Sequence, residues 1–149
     1  MYTGLLHTHS LLRYLVLILL IIVIVNSFVG FSNKKAFGKT DNILGLTLFS
    51  VTHTQLLIGI LLFFVSPFVQ FSGAAMKEPS LRYWTSEHSV MMLIAIVLIT
   101  LARTTSKKMK DDTAKHRRML IFNMMALIII LLAIAMSQRG FFSMPGATM

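Results

Sequence analysis

Four long runs of apolar residues constrain the fold of this chain more than any other feature. A helix that crosses the hydrocarbon core of a membrane needs about 20 mostly apolar residues. Runs of this kind lie at about residues 10–31, 43–65, 86–103 and 116–137, and the second carries no formal charge. We therefore predict an all-α protein with one membrane domain, residues 1–149, folded as an antiparallel bundle of four transmembrane helices.

The composition agrees with a chain dissolved in lipid and excludes several classes of function. The sequence is 56% hydrophobic and only 13% charged, about half the charge of a typical soluble domain. It contains no cysteine, which excludes disulfides, thiolate metal sites and thiol catalysis. The net charge of +9 lies in short clusters without interleaved aromatic residues, so we expect no nucleic-acid partner. The N-terminus lacks a positive segment and a cleavage pattern, so we expect the first helix to remain in the mature protein.

Local signals predict where the spans end. Ser66-Pro67 predicts the end of the second helix, because proline disfavours helical geometry in the residue before it. Residues 40–42 and 85–87 are of the types that cap helix starts, and they precede the second and third spans. An interfacial aromatic belt is predicted from four residues of the long middle connection: Phe68, Phe71, Tyr83 and Trp84.

The basic residues predict the orientation. Lys34, Lys35 and Lys39 lie between the first two spans, and seven more basic residues lie between Arg103 and Arg118. These ten of the 14 basic residues fall on one side of the membrane. Short loops rich in lysine and arginine stay in the cytoplasm. We therefore expect both termini on the non-cytoplasmic side, which in the inner membrane of a two-membrane bacterium is the periplasm.

Polar residues at membrane depth are costly, so each is a candidate for function. The candidates are His7, His9, Arg13, His53, Glu87, His88 and Asn123. His116 lies among basic residues and is predicted to belong to the cytoplasmic surface.

Depth separates these candidates into two groups. The first and third helices both start outside, so His9 and His88 should lie at a similar depth near the outer face, with His7 close by. Arg13 is one turn after His9 on the same helix face, where it can bind a carboxylate or phosphate or extend to the headgroups. His53 should lie roughly 10 Å deeper, near the middle of the membrane.

The second helix also carries a polar stripe. Thr47, Ser50, His53 and Thr54 fall on one face of an otherwise apolar helix. We expect this face to contact protein, water or a cofactor rather than lipid. Gly45 and Gly59 would allow a neighbouring helix or a flat ligand to approach closely.

Four interpretations of the histidines remain open at this point. Two imidazoles from facing helices can ligate a haem b, with His9 or His7 opposite His88 and Arg13 beside a propionate. Alternatively, His53 and Glu87–His88 could form a proton or quinone site. Imidazole also suits copper, zinc and iron, and histidines near helix starts can simply cap or pack. Met92, one turn from His88, should line any site there.

Three stretches resemble segments of short bacterial four-helix membrane proteins that are usually labelled cytochrome b-like. They are residues 6–13 (LHTHSLLR), residues 52–59 (THTQLLIG) and residues 87–95 (EHSVMMLIA). The resemblance covers most of the chain, including the basic loop before the fourth span. It implies a b-type haem protein whose cofactor contacts are His9, His53 and His88, with Arg13.

Two functions follow as expectations. The first is a small cytochrome that moves single electrons between a quinol pool and a redox partner, without substrate chemistry of its own. The alternative is a non-catalytic accessory or assembly subunit of a larger membrane complex, without haem. With either function we expect the chain to be part of a larger membrane complex or a homo-oligomer. Small residues on helix faces would provide docking positions for that alternative: Gly45, Gly59, Ala126 and Ala133.

Overall fold

A computed structural model describes residues 2–67, 69 and 72–136, except for the side chains of residues 75, 80, 84 and 85. Four long helices dominate it, and each is long and apolar enough to cross a membrane. They are α1 (Tyr2–Ser32), α2 (Lys39–Val65), α5 (His88–Lys108) and α6 (Asp112–Met136). Two short helices, α3 (Gly73–Lys77) and α4 (Pro79–Arg82), and a π-helical turn (Tyr83–Glu87) connect α2 to α5. The predicted all-α, four-helix membrane architecture is confirmed.

The helices extend beyond the apolar runs because polar residues can continue a helix outside the hydrocarbon. The helix α1 begins at Tyr2 rather than near residue 10, and Thr8 donates a hydrogen bond to the Gly4 carbonyl, 2.9 Å away, within that extension. The predicted stop is confirmed, since α2 ends at Val65 and Ser66 is extended. The predicted end of the fourth span at Ser137 lies outside the described residues, as does Arg139.

The predicted cap at residues 85–87 is wrong. The chain stays helical through the π-helical turn into α5, and Glu87 makes no capping hydrogen bond with its side chain. The second helix is capped as its polar start suggests: the Asp41 carboxylate accepts a hydrogen bond of 2.8 Å from the Gly38 amide. Its other oxygen accepts one of 2.6 Å from Asn26 of α1.

The helices form a bundle in which α1 and α6 are central. The helix α1 packs against α2 and α6, and α5 packs against α6, whereas α2 and α5 contact each other much less. The core is apolar and includes Leu20, Val23, Leu48 and Ile99. A gap therefore remains on one side of the bundle, between α2 and α5.

Small residues bring the helices close together inside the bundle. Ala126 and Ala133 of α6 are fully buried, and Gly45 of α2 is buried beside Arg103 and Met119. These residues were expected to offer docking positions for a partner. Their burial shows that the expectation is wrong, because they are already used between the chain's own helices.

The outer surface is strongly apolar on all four long helices. Large side chains such as Ile18, Leu57, Val97 and Ile128 are more than half exposed. Soluble proteins rarely expose large continuous apolar surfaces. The exposed surface is therefore suited to contact with lipid, and the chain is a multi-pass membrane protein.

Two interfacial assignments are wrong. Tyr83 was predicted in an aromatic belt but is buried, because its hydroxyl bonds to α6. The belt residues Phe68 and Phe71, and the side chain of Trp84, lie outside the part that the structure describes. His116 was predicted at the cytoplasmic surface but is fully buried, with its ring on Gly30 and its centroid 5.0 Å from that of Phe37.

Candidate functional site

His9 of α1 and His88 of α5 face each other in the bundle. The centroids of their rings are 6.3 Å apart, and the ring planes are inclined at 62°. Both side chains are partly buried. The prediction that these two histidines share one depth is therefore confirmed, although they are 79 positions apart in the sequence.

The helix α2 holds His9 in place. The Gln55 side-chain amide donates a hydrogen bond of 2.7 Å to the His9 backbone carbonyl. A Cβ atom at Gly59 would lie 3.3 Å from His9 Nε2, so the glycine leaves room for this ring. Gln55 and Gly59 are one turn apart on the same face of α2, and together they seat His9 against that helix.

The π-helical turn before α5 positions His88. Its wider turn is closed by a hydrogen bond from the His88 amide to the Tyr83 carbonyl. In a π-helix, two residues that are five positions apart point in more similar directions than they do in an α-helix. This geometry brings the Tyr83 hydroxyl to within 3.4 Å of His88 Nδ1.

The hydrogen bonds of Tyr83 favour one tautomer of His88. The hydroxyl donates its single proton to the Ala133 carbonyl of α6, at 2.6 Å. Toward His88 it can then act only as an acceptor, which favours the neutral tautomer with the proton on Nδ1 and the lone pair on Nε2. Outer hydrogen bonds of this kind orient metal-ligating histidines in proteins.

A mostly apolar cavity of about 360 Å³ surrounds the two histidines. It lies where α2 and α5 are separated, and its wall includes residues from all four long helices, such as Val16, Leu56, Met92 and Ile130. Met92 lines it, as the spacing from His88 predicts. A smaller cavity of about 120 Å³ adjoins the same histidines and is also lined by Tyr2, Ser10 and Ser66.

Arg13 is placed where an anion near the histidines could be bound. It lines both cavities, and its Nη2 donates a hydrogen bond of 3.0 Å to the Tyr14 hydroxyl. The guanidinium carbon lies 4.8 Å from the centroid of the Tyr14 ring. This cation–π contact holds the positive charge near the cavity.

The other predicted site residues lie elsewhere. His7 is exposed and lines neither cavity. His53 also lies outside both cavity walls, and its Nδ1 donates a hydrogen bond of 2.8 Å to the Phe49 carbonyl. Glu87 forms an ion pair of 2.7 Å with Arg82. The structure therefore brings together His9, His88 and Arg13, but not His7 or His53.

Three residues of the site were not identified from the sequence: Gln55, Thr52 and Tyr83. Thr52 and Gln55 lie in the stretch THTQLLIG, where a polar pair on the side of α2 that carries Gly59 was the available signal. Tyr83 gave no signal, because only the π-helical turn directs it inward. Among the described residues, no cluster contains three or more side chains of His, Asp or Glu that could bind a metal ion. The candidate ligands at this site are therefore the two imidazoles.

The chain was compared with protein-family models, with characterised proteins and with solved structures, and none of them matches it.

Proposed function

We propose that this chain is a small b-type membrane cytochrome that binds haem between His9 and His88. The observation that carries the proposal is the spacing of the two rings. Two imidazoles bound on opposite sides of one metal ion, with bonds of about 2 Å, have centroids about 6 Å apart. The separation of 6.3 Å agrees with that arrangement.

The surroundings of the histidines fit the remaining parts of such a cofactor. The apolar cavity walls suit a macrocycle, and the gap between α2 and α5 lets a flat ring extend beyond the enclosed space. Arg13 would bind a propionate, because a guanidinium pairs with a carboxylate in bidentate geometry. Tyr83 would hold His88 with Nε2 toward the iron.

In this proposal the residues of the chain have simple roles. Bound haem supplies one-electron redox chemistry, and the chain orients its two ligands, excludes water and balances charge. Electron exchange with a quinol or a redox protein would then occur at the outer end of the bundle. No further chemical step is assigned to the chain, which makes it an electron carrier or subunit rather than a stand-alone enzyme.

We further infer the topology of the chain, and from it the side of the membrane on which this site lies. The short connections 33–38 and 109–111 join helices that pack against each other, which supports an antiparallel bundle. Ten of the 14 basic residues lie at the end opposite the histidine pair. Positive charge of this kind is retained in the cytoplasm, so the haem would lie in the periplasmic half of the inner membrane.

The test is the spectrum of the purified protein. The chain is expressed with an adequate haem supply and purified in mild detergent, and a reduced-minus-oxidised spectrum is recorded. We expect the Soret and α bands of a b-type cytochrome, and the loss of most of this signal in His9→Ala and His88→Ala. His7→Ala is the matched control, because His7 lies two residues from His9 but is exposed.

Two results would contradict the proposal. One is a wild-type protein that contains no haem although it is folded and monodisperse. The other is a haem signal that neither His9→Ala nor His88→Ala diminishes. Purification of a stable larger complex without haem would favour the accessory-subunit alternative.

A further inference from the structure

The polar stripe of α2 does not face the interior of the bundle. Thr47, Ser50 and Thr54 are exposed, and His53 is only partly buried. They lie on the same side of α2 as Leu57, which is 63% exposed. Four polar residues near the middle of a membrane-length helix are thus directed away from the chain's own helices.

The stripe belongs to a longer row of exposed residues along α2. Successive members are alternately four and three residues apart, which is the spacing of a helix that packs lengthwise against another helix. The row comprises Ile43, Thr47, Ser50, Thr54, Leu57, Leu61 and Phe64, all of which are exposed. We call this row, with His53 beside it, the outer α2 face.

Hydrogen bonding on this face leaves one donor and one acceptor for a neighbour. Thr47 and Thr54 donate to the carbonyls of Ile43 and Ser50, at 2.7 and 2.9 Å. No described residue accepts the Ser50 hydroxyl proton. His53 Nδ1 donates to the Phe49 carbonyl, so its Nε2 carries a lone pair that can accept a hydrogen bond.

Lipid cannot satisfy these two groups. A hydroxyl and an imidazole nitrogen in hydrocarbon lose the hydrogen bonds they would make with water, at considerable free-energy cost. The outer α2 face carries no charge that would select a charged partner. Its small Thr and Ser side chains would also let a second helix approach closely.

We propose that the outer α2 face is a homodimer interface, at which Ser50 of each copy donates a hydrogen bond to His53 of the other. The face carries both the donor and the acceptor, one turn apart, or about 4.5 Å along the axis. The His53 ring extends back about one turn, because its Nδ1 bonds to the Phe49 carbonyl, and this brings the ring toward the level of Ser50. A two-fold axis along the membrane normal places equal depths together, so each Ser50 can meet the partner's His53 ring. A second copy therefore satisfies both groups at once.

The chain contains no cysteine, so single cysteines can report on this interface. Leu57→Cys on the outer α2 face and Val97→Cys on α5 are compared, since both positions are more than half exposed. Membranes containing each variant are treated with a short bis-maleimide. We expect a cross-linked dimer for Leu57→Cys, and at least a several-fold lower yield for Val97→Cys.

Second substitutions in the Leu57→Cys background test the hydrogen bond itself. Ser50→Ala and His53→Leu should each reduce the dimer yield several-fold at unchanged membrane levels, and light scattering of wild-type protein in detergent should give the mass of two copies. Three results would overturn the proposal: equal yields at positions 57 and 97, no effect of either substitution, or cross-linking of Leu57→Cys only to a different protein. The haem spectrum tests the cofactor separately, because Leu57 does not line the cavity.

Discussion

His116 and Asn123 are fully buried on α6, and within the described residues no hydrogen-bond partner contacts the side-chain polar atoms of either. Burial of an unsatisfied polar group costs about 1–3 kcal/mol, so packing must hold these side chains inside. His116 shows how this occurs: its ring occupies the space that a side chain on Gly30 would otherwise fill. The glycine and the histidine ring therefore pack directly against each other at the contact between α1 and α6.

Gly30→Ala should destabilise the bundle. The added Cβ would lie 2.4–2.7 Å from three atoms of the His116 ring, and overpacking of a core costs about 1–3 kcal/mol. Gly4→Ala is the control on the same helix, because nothing lies within 4 Å of its added Cβ. The free energy of unfolding, measured with denaturant in mixed micelles, should be well below the wild-type value for Gly30→Ala. For Gly4→Ala it should equal or exceed the wild-type value. Equal stability of the two variants would show that the ring can move away.

If the chain binds haem as proposed, Tyr83→Phe should change the redox potential and retention of the haem without removing His9 or His88. The substitution deletes the hydroxyl that bonds to Ala133 and accepts from His88. A ligating imidazole that loses such an acceptor becomes less basic and stabilises ferric iron less. We expect a more positive midpoint potential and about tenfold weaker haem retention, measured by redox titration and by transfer of haem to an acceptor protein. An unchanged potential would contradict this role of Tyr83.

At the scale of elements, the ends of the helices are fixed by a few polar contacts. The turn between α1 and α2 includes Lys34 in the left-handed region, at φ 52°, and the Lys35 amide bonds to the Gly30 carbonyl at 2.9 Å. The carboxylate of Asp41 then joins the start of α2 to Asn26 of α1. At the other end of α2, the backbone restriction imposed by Pro67 is local, which explains why that helix end could be predicted from two residues.

Asn26→Ala should loosen the pairing of α1 with α2. It removes the hydrogen bond to the Asp41 carboxylate, and hydrogen bonds to charged groups are worth about 1.5–3 kcal/mol. The expected loss of unfolding free energy is of that size. Asn33→Ala, at an exposed site immediately after the same helix, should have little effect. If the two variants unfold alike, the Asn26–Asp41 contact does not stabilise the pair.

In the whole molecule, the basic residues and the cavities lie at opposite ends of the long axis of the bundle. Basic residues concentrate at the end that includes the 33–38 and 109–111 connections, and the histidine pair with its cavities lies toward the opposite end. The cavity persists because α2 and α5 pack together least of the neighbouring helices. Charge and cavity thus lie at opposite ends of the bundle: a basic end, which is cytoplasmic in the proposed topology, and an end that can hold a cofactor.

Thiol labelling should reveal this orientation, because the natural chain has no cysteine. In intact spheroplasts, a membrane-impermeant maleimide should label Gly73→Cys in the connection between α2 and α5. Asn33→Cys and Lys110→Cys should react only after permeabilisation. All three positions are exposed, so burial cannot explain a difference. Labelling of Asn33→Cys in intact spheroplasts would reverse the proposed topology.

The amino-acid sequence was sufficient to predict four helices of membrane-spanning length and apolarity, and a common level in the bundle for His9 and His88. These depend on run length, charge distribution and a fixed rise per residue, all of which are local quantities. Three features could be seen only in the folded chain: His53 lies outside the cavities, His116 is buried on Gly30, and Tyr83 bonds to His88. Those outcomes depend on how each helix is rotated about its axis. A membrane helix is apolar on nearly all sides, so its residue pattern does not define this rotation, which is set by packing between the helices.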